Sequence, residues 1–158
     1  PMGEIPSQEE VKDILKKKLN QAHEKLWSFG FFILSINNLD ELVKKYGAKI
    51  RSDILENIIA IINNSLREFD KFGMWSDNKI IVIIMNVYRG DLRIIANKYK
   101  RIIEAQKMTS DAENVGLSFD IVGSINKVDD NLNSLIKRIK QLLSDKKYYQ
   151  QAVRIVEW

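Results

Sequence analysis

Cysteine is absent from the chain, which excludes a disulfide framework and every thiolate metal site. His23 is the only histidine, so metal clusters that need several imidazoles are excluded too. No apolar stretch approaches the ~20 residues that span a bilayer. The longest runs are Phe29 to Ile36 and Ile80 to Met85, and nothing resembles a signal peptide. Direct membrane insertion is therefore not expected, and a reducing cytosol fits, whether for a free protein or for the cytosolic part of a membrane-anchored one. There is no internal repeat, no linker, no Walker A phosphate loop and no Ser/His/Asp constellation. His23, before the first strand and without partners, reads as an ordinary surface residue.

What is present suits one compact domain. The chain has 158 residues, 45% of them hydrophobic, which is enough for a real core and too apolar for disorder. The opening Pro-Met-Gly suggests a cloning remnant ahead of a fragment of a longer polypeptide, so residues 1–7 are expected to be such a remnant or a disordered start, with a single domain over 8–158. A net charge of +4 does not point to a nucleic-acid polymer, because the lysines are scattered along helices (Lys16 to Lys18, Lys44 and Lys45, Lys137 and Lys140, Lys146 and Lys147) as solvated faces.

Periodicity lays out the elements. Ser7 and Glu10 form a capping box, and Val11, Ile14, Leu15, Leu19, Ala22 and Leu26 keep helical spacing, predicting a helix over 8–27. Gly30 reads as a break, and Phe31 to Ile36 as a central strand covered on both faces. A short helix through Leu39, Leu42, Val43 and Tyr46 ends at Gly47, and a longer one follows from Ile50 to Leu66. Phe72 to Trp75 and Lys79 to Met85 flank the turn residues Ser76-Asp77-Asn78, predicting an antiparallel hairpin. A helix from Asp91 to Ile103, a polar loop over Thr109 to Asn114 and a strand over Leu117 to Ile125 come next. A helix capped by Asp129 or Asp130 and running through Leu143, and a last strand over Ala152 to Val156, complete the order αβααββαβαβ.

That order, and the local sequence along nearly the whole chain, resemble the GGDEF domain of diguanylate cyclases. Phe31-Phe32-Ile33-Leu34-Ser35-Ile36-Asn37-Asn38-Leu39 with Tyr46-Gly47 is similar to the family's LLLLDIDHF and its later YG. Met74-Trp75-Ser76-Asp77-Asn78-Lys79-Ile80-Ile81-Val82 is similar to RYGGDEFAV, and Leu142 to Lys146 falls where the family has ALYRAK. The resemblance implies an α/β, palm-like fold with a central five-stranded mixed sheet flanked by helices.

The same resemblance implies lost catalysis. Joining two GTP molecules uses divalent metals held by carboxylates. The family's metal-binding acids fall on Ser35 and Asn78, and its two phosphate-approaching glycines on Ser76 and Asp77, whose β-carbons enter that space. Its guanine-contacting residues fall on Val43 and Ser52, with Asp53 one residue away, and its phosphate-contacting Lys and Arg on Lys146 and Gln150. The resemblance thus implies no catalytic residues, no metal site and no cofactor, with Asp77 a turn former.

One family feature survives. Many diguanylate cyclases carry an inhibitory RxxD site ending five residues before the GGDEF motif and binding cyclic di-GMP. Arg67-Glu68-Phe69-Asp70 has that pattern, with Lys71 to Trp75 before Ser76. A guanidinium fork suits phosphate and the Hoogsteen edge of guanine, and a carboxylate suits guanine nitrogens. Lys98 falls on the family's supporting basic position, with Arg101 a turn beyond. Two readings stay open for the motif: a dinucleotide site of Arg67, Asp70, Lys98 and Arg101, or an i,i+3 ion pair at a helix end. The matching functions are a regulatory cyclic di-GMP receptor and a ligand-free dimerisation or protein-docking module within a larger signalling protein.

Overall fold

A computed structural model describes residues 5–106, 108–110, 113–145 and 153–158. The elements are α1 (Gln8–Lys25), β1 (Phe29–Ile36), α2 (Leu39–Tyr46), α3 (Lys49–Ser65), β2 (Lys71–Ser76), β3 (Lys79–Met85), α4 (Asp91–Ala105), β4 (Thr109–Ser110), β5 (Glu113–Asn114), β6 (Phe119–Ile125), α5 (Leu132–Ser144) and β7 (Val153–Val156). Five strands form one sheet in the order β2-β3-β1-β6-β7, antiparallel except for the parallel β6–β7 edge. The mixed sheet and helix order are those expected.

β1 lies at the centre and is buried along its whole length, because helices cover both faces of the sheet. Side chains alternate across it. Phe32, Leu34 and Ile36 face a core built with α2, α3 and α4, while Phe29, Phe31 and Ile33 face α1 and α5 through Val11, Leu15, Leu19, Leu135 and Ile139. The antiparallel pairings bring the end of β1, the β2–β3 turn and the start of β6 to one end of the sheet, the hairpin end. The start of β1 and the ends of β3 and β6 lie at the opposite pole.

Several boundaries differ from the sequence expectation for local reasons. α1 stops at Lys25, not at residue 27, because Leu26 turns left-handed (φ 55°). Gly30 does not break the pattern but lies inside β1, where a β-carbon would stand 2.8 Å from Leu92 Cδ2. Neither Asp129 nor Asp130 caps α5: Asn131 does, its side chain accepting from Ser134 N–H at 2.9 Å. Asp130 is instead buried in an ion pair with Arg138. The expected polar loop over 109–114 contains the small β4–β5 ladder. Within residues 1–7, expected to be a cloning remnant or a disordered start, Pro6 O accepts from Met74 N–H at 2.9 Å and Ser7 caps α1. Lys146, Gln150 and Ala152 lie outside the described residues.

No described helix is long and apolar enough to cross a membrane.

Candidate functional site

At the hairpin end, register places buried Ser35 between Lys79 on β3 and Asp120 on β6. Asn78 locks the turn to β1. Its backbone carbonyl accepts from Ile36 N–H at 2.9 Å and its Nδ2 donates to Ile36 O at 3.0 Å. Its Oδ1 accepts from Ser76 Oγ and Lys79 Nζ, both at 3.2 Å. Asn37 Nδ2 donates to Asp120 Oδ2 at 3.1 Å, and Asn38 bridges Gly116 O (2.6 Å) and Ser118 N–H (2.9 Å). Amide side chains thus hold together the loops where β1, β3 and β6 meet. Asp120, Asn37 and Lys79 were not singled out from sequence. An acid between Phe119 and Ile121 in an alternating strand is the signal that could have drawn attention to Asp120.

Asp77 is exposed in the turn and lines, with Gln8, Arg51, Leu55, Met74 and Ser76, an open cavity of about 490 Å³. Gln8 Nε2 donates to Trp75 O at 2.8 Å, so the start of α1 is bonded to the hairpin. Arg51 pairs with Asp40 at 2.7 Å. Val43 packs against the core, Ser52 Oγ donates to Lys49 O at 3.0 Å, and Asp53 is exposed. Among the described residues, no group of three or more His, Cys, Asp or Glu side chains could hold a metal ion.

The second candidate lies between α3 and β2. Arg67 and Asp70 are brought together: Nε–Oδ2 is 3.1 Å and Nη2–Oδ1 3.3 Å. Asp70 is buried, and its carboxylate also accepts from the backbone N–H groups of Arg67 (3.0 Å) and Met85 (3.2 Å). Arg67 Nη2 reaches Met85 O at 2.5 Å. The aspartate therefore fastens the α3–β2 turn to the end of β3 and holds the arginine in place. The arginine side chain remains half exposed.

Around this pair, Tyr99 of α4 is buried, and its hydroxyl is pushed up to about 12 by burial and by the Asp70 charge, against the opposing influence of a Ser65 hydrogen bond and Arg67. Lys18 of α1 is lowered by burial and by Lys71, with Asp70 opposing. Lys98 and Arg101 are exposed on α4, and among the described residues neither is hydrogen-bonded or ion-paired to Arg67 or Asp70. His23 is exposed.

The sequence matches the family model for the GGDEF domain, diguanylate cyclase, over residues 1–152. The chain belongs to the GGDEF family. No curated protein matches it. Solved GGDEF structures share the fold at low identity. The GGDEF domain of DgcB from Caulobacter crescentus, in complex with c-di-GMP, superposes with a TM-score of 0.87 at 10% identity, covering 98% of this chain and 93% of that one. The GGDEF domain of YfiN (TpbB) from Pseudomonas aeruginosa gives 0.86 at 19%, covering 98% and 91%. Diguanylate cyclase SiaD from Pseudomonas aeruginosa, in complex with its activator SiaC, gives 0.88 at 13%, covering 99% of this chain and 60% of that one.

Proposed function

We propose that this GGDEF domain regulates and does not catalyse. The observation that carries the reading is Asn78. At a position where the cyclases have a metal-binding acid, this chain has a neutral amide whose oxygen and nitrogen are both engaged by Ser76, Lys79 and Ile36. Lys79 beside it brings positive charge where a divalent cation would need negative charge. Ser35 adds no carboxylate, and Ser76 and Asp77 bring β-carbons to the turn.

Incubation with GTP and Mg²⁺ or Mn²⁺, followed by nucleotide chromatography, is expected to give no cyclic di-GMP, and calorimetric titration with GTP to give no heat. Formation of the dinucleotide would overturn the reading.

A cyclic di-GMP receptor role is the specific form favoured by Arg67. A buried Asp70 that already accepts four hydrogen bonds orients the arginine and is not itself free for guanine. Recognition then falls to the exposed half of the Arg67 side chain, supported by Lys98 and Arg101, which supply positive charge. DgcB was solved with this dinucleotide. Arg67→Lys keeps the charge and removes the planar fork, so it is expected to weaken cyclic di-GMP binding about tenfold in calorimetry, about 1.4 kcal/mol. Lys98→Ala/Arg101→Ala should weaken it with an unchanged melting temperature. No heat with the unaltered chain would leave the docking module as the function.

A further inference from the structure

Arg67-Glu68-Phe69-Asp70 is closed as a turn by Asp70 N–H, which donates to Arg67 O at 3.0 Å. Inside the turn the charged pair satisfies itself. An ionised carboxylate has about four acceptor sites, two on each oxygen, and those of Asp70 are filled. Its Oδ2 accepts from Arg67 N–H (3.0 Å) and Nε (3.1 Å), and its Oδ1 from Arg67 Nη2 (3.3 Å) and Met85 N–H (3.2 Å). The arginine is engaged as well. Its Nη2 also donates to Met85 O at 2.5 Å. A guanidinium presents paired N–H groups along two edges, Nε–Nη2 and Nη1–Nη2, and Nη2 belongs to both. Neither edge of Arg67 therefore keeps two donors for a ligand.

Those are the groups that tell one purine from another. Guanine is selected by a bidentate arginine on its O6 and N7 acceptors, or by a carboxylate that accepts from its N–H groups, whereas adenine places an N6 amino donor where guanine has O6. With both selecting groups engaged, the turn retains charge and an aromatic face. Phe69, the third residue of the turn, is 55% exposed, and its ring tilts against Trp27 at 6.4 Å. Every base has a π-face, so stacking on an aromatic ring holds purines without distinguishing them. Cations surround this turn. Lys71 follows it, Lys25 Nζ lies 5.0 Å over the Trp27 ring, and exposed Lys98 and Arg101 flank Tyr99, whose hydroxyl is reached by the Asp70 charge. Glu68 opposes them within the turn.

We infer that this site takes an anionic purine dinucleotide without selecting guanine, holding its phosphates by charge and a base by stacking on Phe69. The inference rests on the receptor reading of the same site and widens its ligand class. Adenine and guanine dinucleotides carry the same phosphates and both offer a purine face, so the groups left free here treat them alike.

Calorimetric titration of the full chain with cyclic di-GMP and with its adenine counterpart, at one salt concentration, tests it. The two dissociation constants are expected to agree within about fivefold. Phe69→Leu keeps an apolar side chain and removes the π-face, so it should weaken both ligands by about fivefold or more, the lower end of what one stacked base contributes, and Phe69→Trp should restore them. The melting temperature of Phe69→Leu should match that of the unaltered chain, because the ring is more than half exposed. A larger difference between the two ligands overturns the inference and leaves the receptor reading standing. Equal binding that Phe69→Leu does not weaken overturns the stacking, and the inference with it. No heat with either dinucleotide overturns both the inference and the receptor reading.

Discussion

Asp130→Ala is expected to destabilise the fold by about 3–5 kcal/mol, the range for removing one partner of a buried ion pair. Both partners are well shielded: the Asp130 side chain is 2% exposed and that of Arg138 12%. Arg138 grips both carboxylate oxygens at 2.7 and 2.8 Å. Lys127 N–H (2.6 Å) and Ser134 Oγ (2.8 Å) donate to the same carboxylate. Alanine leaves a guanidinium without its counter-charge and Lys127 N–H without its acceptor, at the entry to α5, while Ser134 Oγ keeps Asn131 O at 3.0 Å. Urea denaturation at neutral pH measures the loss.

The same carboxylate sets a pH dependence. Burial pushes its pKa up, but the hydrogen bonds from Arg138, Lys127 and Ser134 and the Arg138 charge outweigh burial, and the net shift is below the ordinary aspartate value of 3.8. A group whose pKa is depressed in the folded state contributes stability above its unfolded value, and that contribution is lost as pH falls through the folded value. The stability gap between the unaltered chain and Asp130→Asn should therefore be full at pH 7 and shrink only below about pH 4. Thermal melts across that range decide it, and a gap that closes between pH 7 and 5 would contradict the assignment.

Gly123→Ala is expected to have an effect of similar size, about 3 kcal/mol or more, at the upper end of what overpacking costs. Gly123 sits in β6 opposite Phe32 of the central strand. A β-carbon there would stand 2.2 Å from Phe31 O and 2.9 Å from Phe32 Cα, backbone atoms fixed by pairing on both sides of β1. Phe32 cannot retreat easily, because its ring packs on Tyr99 at 5.1 Å. Gly47→Ala offers a different kind of control: no atom lies within 4 Å of the added carbon, but φ is 96°, so only local strain opposes it. Equilibrium unfolding should show the larger loss at 123, and a Gly123→Ala protein of normal stability would show that β1 and β6 separate more readily than their register implies.

The candidate site was unevenly legible. The expectation that Ser35, Ser76 and Asn78 fall on family positions rests on their place in the pattern, through the hydrophobic letters around them. The hydrogen bonds of Asn78 to Ile36 could not be read there, because those residues are 42 apart in sequence. The RxxD spacing showed that Arg67 and Asp70 could meet. It did not show that Asp70 would be buried and bonded to Met85, a contact made by β3 folding back beside the α3–β2 turn.

By itself the sequence determined the order of elements, the central place of Phe31 to Ile36 and the α/β class. These follow from periodicity and local turn chemistry, which act over a few residues. Tertiary structure decided everything that depends on which ends meet. It brought Gly30 into β1 under Leu92 and removed Asp130 from the expected helix cap to a buried pair with Arg138. The reason is physical: burial and pairing between distant segments depend on strand order and direction, and a linear pattern of residue types carries neither.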